Sequence, residues 1–326
     1  MKLSDKIYVA GHRGLVGSAV MRRLEALGYS NLVVRAHAEL ELLDAAAVRQ
    51  FFAKEKPQHV FLAAAMAGGI QANDSYPAEF FYRNTALQTN VMHEAWREGV
   101  QRLLFLGSSC IYPRDCPQPI KERYLLTGPL EPTNRPYAVA KIAGVEMCWS
   151  YNRQYGTRFL AAMPTNLYGP GDNFDLTTSH VIPALMRKMH EAKQAESPSV
   201  PIWGSGAPRR EFLHSDDLAD ACIWLMNLED DRFAALCGDR RHPPLINIGC
   251  GVDQTIAELA QLIARVVGYG GELAYDRSKP DGTPRKLLDV GRLSALGWRP
   301  RIGLEEGLTR SYSGYVAAPT ALQQSS

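Results

Sequence analysis

The chain predicts an α/β fold, a doubly wound parallel sheet carrying a smaller α/β lobe, on three observations. A short apolar run leads straight into a glycine turn and then a helical pattern. Further continuous apolar runs alternate with helical stretches through the first half. After Pro164 the pattern becomes less regular and richer in Pro, Trp and Arg.

Residues 6–10 read as the first strand, and Gly11, Gly14 and Gly17 come next in a G-x-x-G-x-x-G turn. Val16, Val20, Leu24 and Leu27 then recur near the spacing of one buried helix face. Gly28 stops that helix, and residues 31–35 form a second strand. Strand, glycine turn, helix, strand is the βαβ unit of a Rossmann-type dinucleotide-binding fold. Such a turn brings backbone N–H groups to a pyrophosphate at the helix N-terminus. Residues 60–65 and 102–107 are continuously apolar, as parallel strands covered on both faces are. Helical patterns over 44–55 and 77–99 alternate with them. The nucleotide lobe is expected over 1–165, with a return at 211–250 that holds a helix near 216–228 and a strand at 245–248. Residues 166–210 and 251–312 are expected to form the substrate lobe. Residues 313–326, low in bulky apolar groups, are expected to be a disordered tail.

The bulk numbers exclude several function classes. At 326 residues the chain can bury a full core in two lobes. Hydrophobic residues at 46% and charged residues at 21% are those of a soluble globular protein. A net charge of +2 implies no special attraction to nucleic acid or acidic membranes, so neither is an expected partner. No apolar run approaches the roughly 20 residues that a membrane span needs, and no secretory segment precedes the first strand. Cys110, Cys116, Cys148, Cys222, Cys237 and Cys250 include no C-x-x-C pair and no zinc spacing, so no metal is expected. A reducing cytoplasm is the expected compartment.

The end of the second strand selects the cofactor. A site for NAD usually places Asp or Glu there, on the ribose 2′-hydroxyl. This chain has Arg35 and then His37, with Arg13 in the glycine turn. Guanidiniums hold a 2′-phosphate that a carboxylate would repel, so NADP(H) is expected.

Chemistry concentrates after the strand at 102–107. Tyr137 and Lys141 stand one helical turn apart and share a face. An ammonium near a phenol favours phenolate, and such a tyrosine exchanges a proton with a carbonyl oxygen while hydride arrives at carbon. Ser108, at the strand's C-terminal end, can hydrogen-bond the same oxygen. Cys110 is an extra group that simple carbonyl reduction does not need. A free cysteine is most often a small buried hydrophobe, but this one lies in a loop leaving the sheet at its active edge. His180, in residues 179–183, is by its spacing more often structural than catalytic.

These motifs together resemble the extended short-chain dehydrogenase/reductase family, from about residue 6 to about residue 312. Within it the chain is similar to the epimerase-reductases of GDP-4-keto-6-deoxy sugars. The stretches that carry the resemblance are residues 10–18, 107–113, 130–134, 164–170, 172–174, 179–183, 203–206, 210–214 and 279–286. The resemblance implies NADPH-dependent epimerisation at C3 and C5 of GDP-4-keto-6-deoxy-D-mannose, then reduction at C4 to GDP-L-fucose. It implies Ser108, Tyr137 and Lys141 as the reductase triad, and Cys110 with His180 as the acid/base pair for epimerisation. The implied cofactor contacts are Gly11, His12, Arg13, Gly14, Leu15, Val16 and Gly17, then Leu106, Gly107, Ser108 and Ser109. They continue with Lys141, Pro164, Thr165, Asn166, Leu167 and His180. For the GDP-sugar it implies Asn166, Lys188, Trp203, Arg210, Asp281 and, less directly, Lys286. It also implies a homodimer paired through helices near 78–99 and 137–155. His37 stands where some relatives carry a second arginine, which points to a milder preference for NADPH. Three alternatives stay open: an enzyme of a related GDP-4-keto sugar (3,6-dideoxy or heptose), a simple reductase or epimerase that leaves Cys110 idle, and a non-enzymatic NADP(H) sensor.

Overall fold

The computed structural model describes residues 1–279 and 281–317. Side chains of the central strands alternate between two apolar clusters. Tyr8, Val60, Leu62, Leu103 and Phe105 enter one, and Ile7, Val9, Phe61, Leu104 and Leu106 the other. All are buried, which is why these strands read as unbroken apolar runs.

The first half runs β1 (Ile7–Ala10), α1 (Leu15–Ala26), β2 (Leu32–Val33), α2 (Ala45–Glu55), β3 (His59–Leu62), α3 (Ile70–Ser75), α4 (Pro77–Arg97) and β4 (Arg102–Leu106). It continues through α5 (Arg135–Tyr155), β5 (Phe159–Pro164), β6 (Asn166–Tyr168), α6 (Val181–Gln194), β7 (Ser199–Trp203) and β8 (Arg209–His214). Then come α7 (Ser215–Met226), α8 (Asp230–Cys237), β9 (Leu245–Ile248), β10 (Asp253–Thr255) and α9 (Ile256–Val267). The last elements are β11 (Glu272–Asp276), β12 (Arg285–Lys286), α10 (Gly291–Ala295) and α11 (Leu304–Ala317).

The central sheet has the order β2-β1-β3-β4-β5-β9, with every pair parallel. Residues of α2, α4 and α5 cover one face, and residues of α1, α7 and α8 the other. This is the doubly wound α/β fold. The strand order reverses between β1 and β3, so the ligand crevice lies beyond the C-terminal ends of these strands. β2 is shorter than the sequence suggests because only Leu32 and Val33 pair with β1. β3 stops at Leu62, where the glycine turn crowds the next residues: a Cβ on Gly11 would lie 2.7 Å from Ala64 backbone atoms.

A second sheet centres on β8, antiparallel to β10 and parallel to β12 and β6. β7 and β11 form a separate parallel pair. Met186 and Met189 of α6, Leu259 and Ile263 of α9, and Leu308 of α11 build a third apolar cluster with Ile202 and Phe212. The helix α9 starts on a reciprocal capping box between Thr255 and Glu258.

The chain crosses between lobes more often than the sequence suggests. Residues 211–214, expected in the nucleotide lobe, lie in β8 of the second sheet, and the return begins at α7. Conversely, Leu293 and Trp298 pack into a nucleotide-lobe cluster. Arg292 donates to the Leu245 carbonyl (2.9 Å) and the Trp298 indole to Asp220 (2.9 Å), which draws α10 there. Residues 313–317, expected in the tail, are helical because buried Tyr315 packs on Phe174, ring centres 4.4 Å apart. Residues 318–326 lie outside the described part.

Glu211 joins the lobes. It is fully buried, and its carboxylate accepts from the backbone N–H of Gly251 (2.6 Å) and Leu288 (3.0 Å). Its carbonyl accepts from Thr165 Oγ1 (3.2 Å) and Asn166 Nδ2 (2.9 Å), just past the end of β5.

Candidate active site

The glycine turn begins where β1 ends. Gly11 has φ +83°, and a Cβ on Gly17 would meet the Gly11 carbonyl oxygen at 2.0 Å, so the first turn of α1 and the loop are in backbone contact. Gly14 is the N-cap of α1 and brings no side chain to its free N–H groups, and the first turn has no acidic residue. Those donors and the positive end of the helix suit a phosphate. His12 is partly buried and Arg13 exposed, with Leu15 and Val16 half-buried behind them.

Arg35 departs from its expected role. Its guanidinium donates to Glu55 (2.5 Å) and to the Val34 carbonyl (2.7 Å), and lies 5.4 Å from the centre of the Phe51 ring. The largely buried Glu55 carboxylate draws this cation inward. His37 pairs with Glu41 at 2.8 Å. Among the described residues Arg13 has no ion-pair partner and is the cation open to a phosphate at this edge.

At the end of β4, Leu106 and Gly107 are buried, and the chain turns through a 3-10 turn, Ser109–Ile111. Ser108 caps that turn: its Oγ accepts from the Cys110 N–H at 3.2 Å. Tyr137 and Lys141 rise from the first two turns of α5, with the Ser108 hydroxyl near enough to the Tyr137 phenol to favour its ionised form. Buried Tyr112 anchors the chain just past this turn, donating to Asn247 Oδ1 at 2.6 Å. One short loop thus sets both Ser108 and Cys110.

The expected Lys141 effect on Tyr137 is not what this geometry gives. Lys141 is buried, donates to the Leu106 carbonyl (2.9 Å), and keeps its Nζ 5.9 Å from the Tyr137 ring centre. Burial brings the Lys141 ammonium down to about 7. Burial, with the Cys110 sulfur adding to it, pushes the Tyr137 phenol well up, and the Ser108 hydroxyl only partly opposes this. The phenol is held in its protonated form.

Cys110 is half-buried, with Asn134 Nδ2 at 3.3 Å and Lys286 Nζ at 3.4 Å from its sulfur. Of the other cysteines, all but Cys250 are buried. His180 is the exposed N-cap of α6, and the protein packed around it, then the Lys286 charge, lowers its pKa. It reaches this position because the segment after β3 lies against residues 178–179. Gly69 donates to the Thr178 carbonyl (3.0 Å), and a Cβ there would strike the Ser179 carbonyl at 2.7 Å.

Pro164 ends β5, Thr165 is buried beside it, and Asn166 and Leu167 are half-buried in β6. Arg210 is half-buried, with Cys110, Glu131 and Asp281 in its electrostatic surroundings. At the outer end, half-exposed Trp203 has Lys188 Nζ 5.1 Å and Lys279 Nζ 5.5 Å from its ring centre. Asp281 is engaged with the adjoining turn, accepting from the Ser205 N–H and hydroxyl, each at 2.7 Å. Lys286 lies on the Cys110 sulfur. Asn134, Lys279 and Glu211 also contact the expected site residues Cys110, Trp203 and Asn166 and were not singled out from the sequence. Asn134 lies within residues 130–134, which carry part of the family resemblance, and that was the signal available for it.

The chain matches the model of the NAD dependent epimerase/dehydratase family over residues 7–237. It is 55% identical over 314 residues to the GDP-L-fucose synthase of Escherichia coli (strain K12), covering 96% of this chain and 97% of that one. Among solved structures it is similar to a GDP-6-OMe-4-keto-L-xylo-heptose reductase from C. jejuni, with TM-score 0.91, 40% identity, and 97% and 99% of the two chains covered. It is also similar to MlghC, a GDP-mannoheptose C4 reductase from Campylobacter jejuni with NADP bound, with TM-score 0.87, 39% identity and 97% and 100% covered. Matches of this extent, on a sheet of this order with a glycine turn at its switch point, mean that the chain belongs to the NAD dependent epimerase/dehydratase family.

Proposed function

We propose that this protein converts GDP-4-keto-6-deoxy-D-mannose to GDP-L-fucose with NADPH, epimerising C3 and C5 before reducing C4. The observation that carries the reading is Cys110, set by the same loop as Ser108, whose Oγ accepts from the Cys110 backbone N–H. One carbonyl pocket then serves both steps. The 55% identity to a GDP-L-fucose synthase supports the substrate.

The residues at the switch point fit a dinucleotide: free N–H groups at the N-cap of α1, Arg13 beside them, and Pro164, Thr165, Asn166 and Leu167 at the end of β5. NADPH supplies the hydride. Arg13 favours the 2′-phosphate, and the NADP in a structure 39% identical to this chain supports that choice. In a 4-keto sugar the protons on C3 and C5 are acidic because the resulting enolate rests on O4. Ser108 and Tyr137 hydrogen-bond that oxygen as charge develops. Cys110 takes the proton from one face, and His180 returns one from the other. Tyr137, held protonated, gives its proton to O4 in the reduction. Lys188, Trp203 and Arg210 hold the nucleotide end, with Asp281 bracing the turn after Trp203.

We further infer a homodimer through α4 and α5, supported by Phe81, Tyr82 and Val139, which are 43%, 63% and 37% exposed. Six free cysteines support a reducing, cytoplasmic setting. Among the described residues no helix is long and apolar enough to cross a membrane.

The test is incubation with GDP-4-keto-6-deoxymannose and NADPH, reading the product sugar by NMR. GDP-L-fucose is expected. No oxidation of NADPH with this substrate, but turnover of a GDP-4-keto heptose, would favour the second reading, which the heptose enzymes at 39–40% identity support.

A further inference from the structure

We infer that Lys286 serves Cys110: together with Asn134 it forms a cradle of N–H donors that holds the sulfur as an anion between proton transfers. This assigns Lys286 to the epimerising thiol instead of the nucleotide diphosphate, and it rests on the reading of Cys110 given above.

Geometry carries the inference. Lys286 Nζ and Asn134 Nδ2 approach the same sulfur at 3.4 and 3.3 Å. An ammonium and an amide NH2 have no lone pair to accept an S–H, so the sulfur is the acceptor in both contacts. Hydrogen bonds to an ionised acceptor are about twice as strong as neutral ones, so both contacts favour S⁻ over SH. Asn134 Oδ1 is buried without a partner.

Lys286 is held in place by its backbone. It pairs with Arg210 across β12 and β8. The Leu287 N–H donates to Gln118 Oε1 (2.9 Å), the Ile120 N–H to the Leu287 carbonyl (2.7 Å), and the Leu288 N–H to Glu211 (3.0 Å). Residues 118–120 continue the loop that carries Cys110 and Tyr112, so lysine and thiol share one support. Among the described residues no carboxylate lies within ion-pair distance of Lys286.

Other charges face the sulfur. Arg210 adds a second cation from β8, and the Tyr137 phenol approaches from α5. Glu131 is drawn off by Arg114 at 3.4 Å, and Arg285 by Asp253 at 2.5 Å. His180 also feels the Lys286 charge, which lowers its affinity for a proton. In each inversion the C–H bond breaks, its proton forms S–H, and the electron pair moves onto O4. On the other face the imidazolium N–H breaks as the new C–H forms, leaving neutral thiol and neutral imidazole. Solvent then carries the thiol proton back to the imidazole. A cation that stabilises S⁻ and eases proton release from imidazolium assists both halves.

The test measures alkylation of Cys110 by iodoacetamide, tracked by mass spectrometry across pH, together with GDP affinity by calorimetry. In Lys286→Met the alkylation rate near neutral pH should fall about tenfold. Lys286→Arg should keep the rate within about threefold of the wild type, since the charge remains. GDP affinity should change by less than about threefold in both. Wild-type alkylation in Lys286→Met, with GDP affinity lowered tenfold or more, would overturn the inference and return Lys286 to the diphosphate. If Lys286→Met does not fold, Lys286→Gln gives the same comparison. Because alkylation needs no sugar substrate, a wrong substrate would leave the result standing, while solvent deuterium exchange in the wild type tests the substrate separately.

Discussion

The two walls of the cleft assemble their chemistry in opposite ways. On the nucleotide-lobe wall, Ser108 stands at the end of β4, and Tyr137 and Lys141 lie one turn apart on α5. On the facing wall, His180, Arg210 and Lys286 come from a helix N-cap and two different strands. They converge because β8 and β12 pair, and because buried Glu211 pins Gly251 and Leu288. The first wall is local geometry placed on a sheet. The second is tertiary structure, and it is the more vulnerable to a change far from the sugar.

The largest effects should separate the walls by chemistry. Tyr137→Phe should lower NADPH oxidation about 10²–10⁴-fold while leaving measurable solvent deuterium uptake at C3 and C5. Cys110→Ser should reduce that uptake by a similar factor with NADPH affinity nearly unchanged. Equal loss of both reactions in both variants would show that the two walls do not act separately.

A smaller effect tests the tertiary support. Glu211→Ala leaves the buried N–H groups of Gly251 and Leu288 without their acceptor, at about 1–3 kcal/mol each. Urea unfolding should show a loss of several kcal/mol, and the folded fraction should lose GDP affinity more than NADPH affinity. A variant as stable as the wild type would remove Glu211 as the link between lobes.

The smallest effects sharpen the cofactor edge. Arg13→Ala should weaken NADPH about tenfold, near 1.4 kcal/mol, and leave NADH almost unaffected. Arg35→Ala should cost NADPH less than about threefold, because its guanidinium is already engaged by Glu55. The reverse ranking, measured by fluorescence titration of both nucleotides, would mean that Arg35 leaves Glu55 when the phosphate binds.

Much of the nucleotide lobe was legible because its signals are short-range. Continuous apolar runs mark strands buried on both faces, and α4 and α5 start at or just before the predicted positions. Ser108, Cys110, Tyr137 and Lys141 stood out because a strand end and one helix turn already place them together. Two of the expected residues have other partners in the fold. Arg35 has the charge of a phosphate ligand, but Glu55 beside it takes that charge. Lys141 has the spacing of a modulator of Tyr137, but the Leu106 carbonyl holds it. Asn134 and Glu211 lie in stretches that carry the resemblance, but nothing local gave them a role, since their partners lie 24 to 77 residues away in sequence.

By itself the sequence determined the parallel sheet, the glycine turn and the grouping of Ser108, Tyr137 and Lys141 at one strand end, because burial periodicity and one helical turn act over a few residues. Only the tertiary structure decided what faces Cys110, which charges remain free, and how the lobes are joined. Those depend on hydrogen bonds and ion pairs between distant segments, and a pair of groups has no energy of interaction until the fold brings it together.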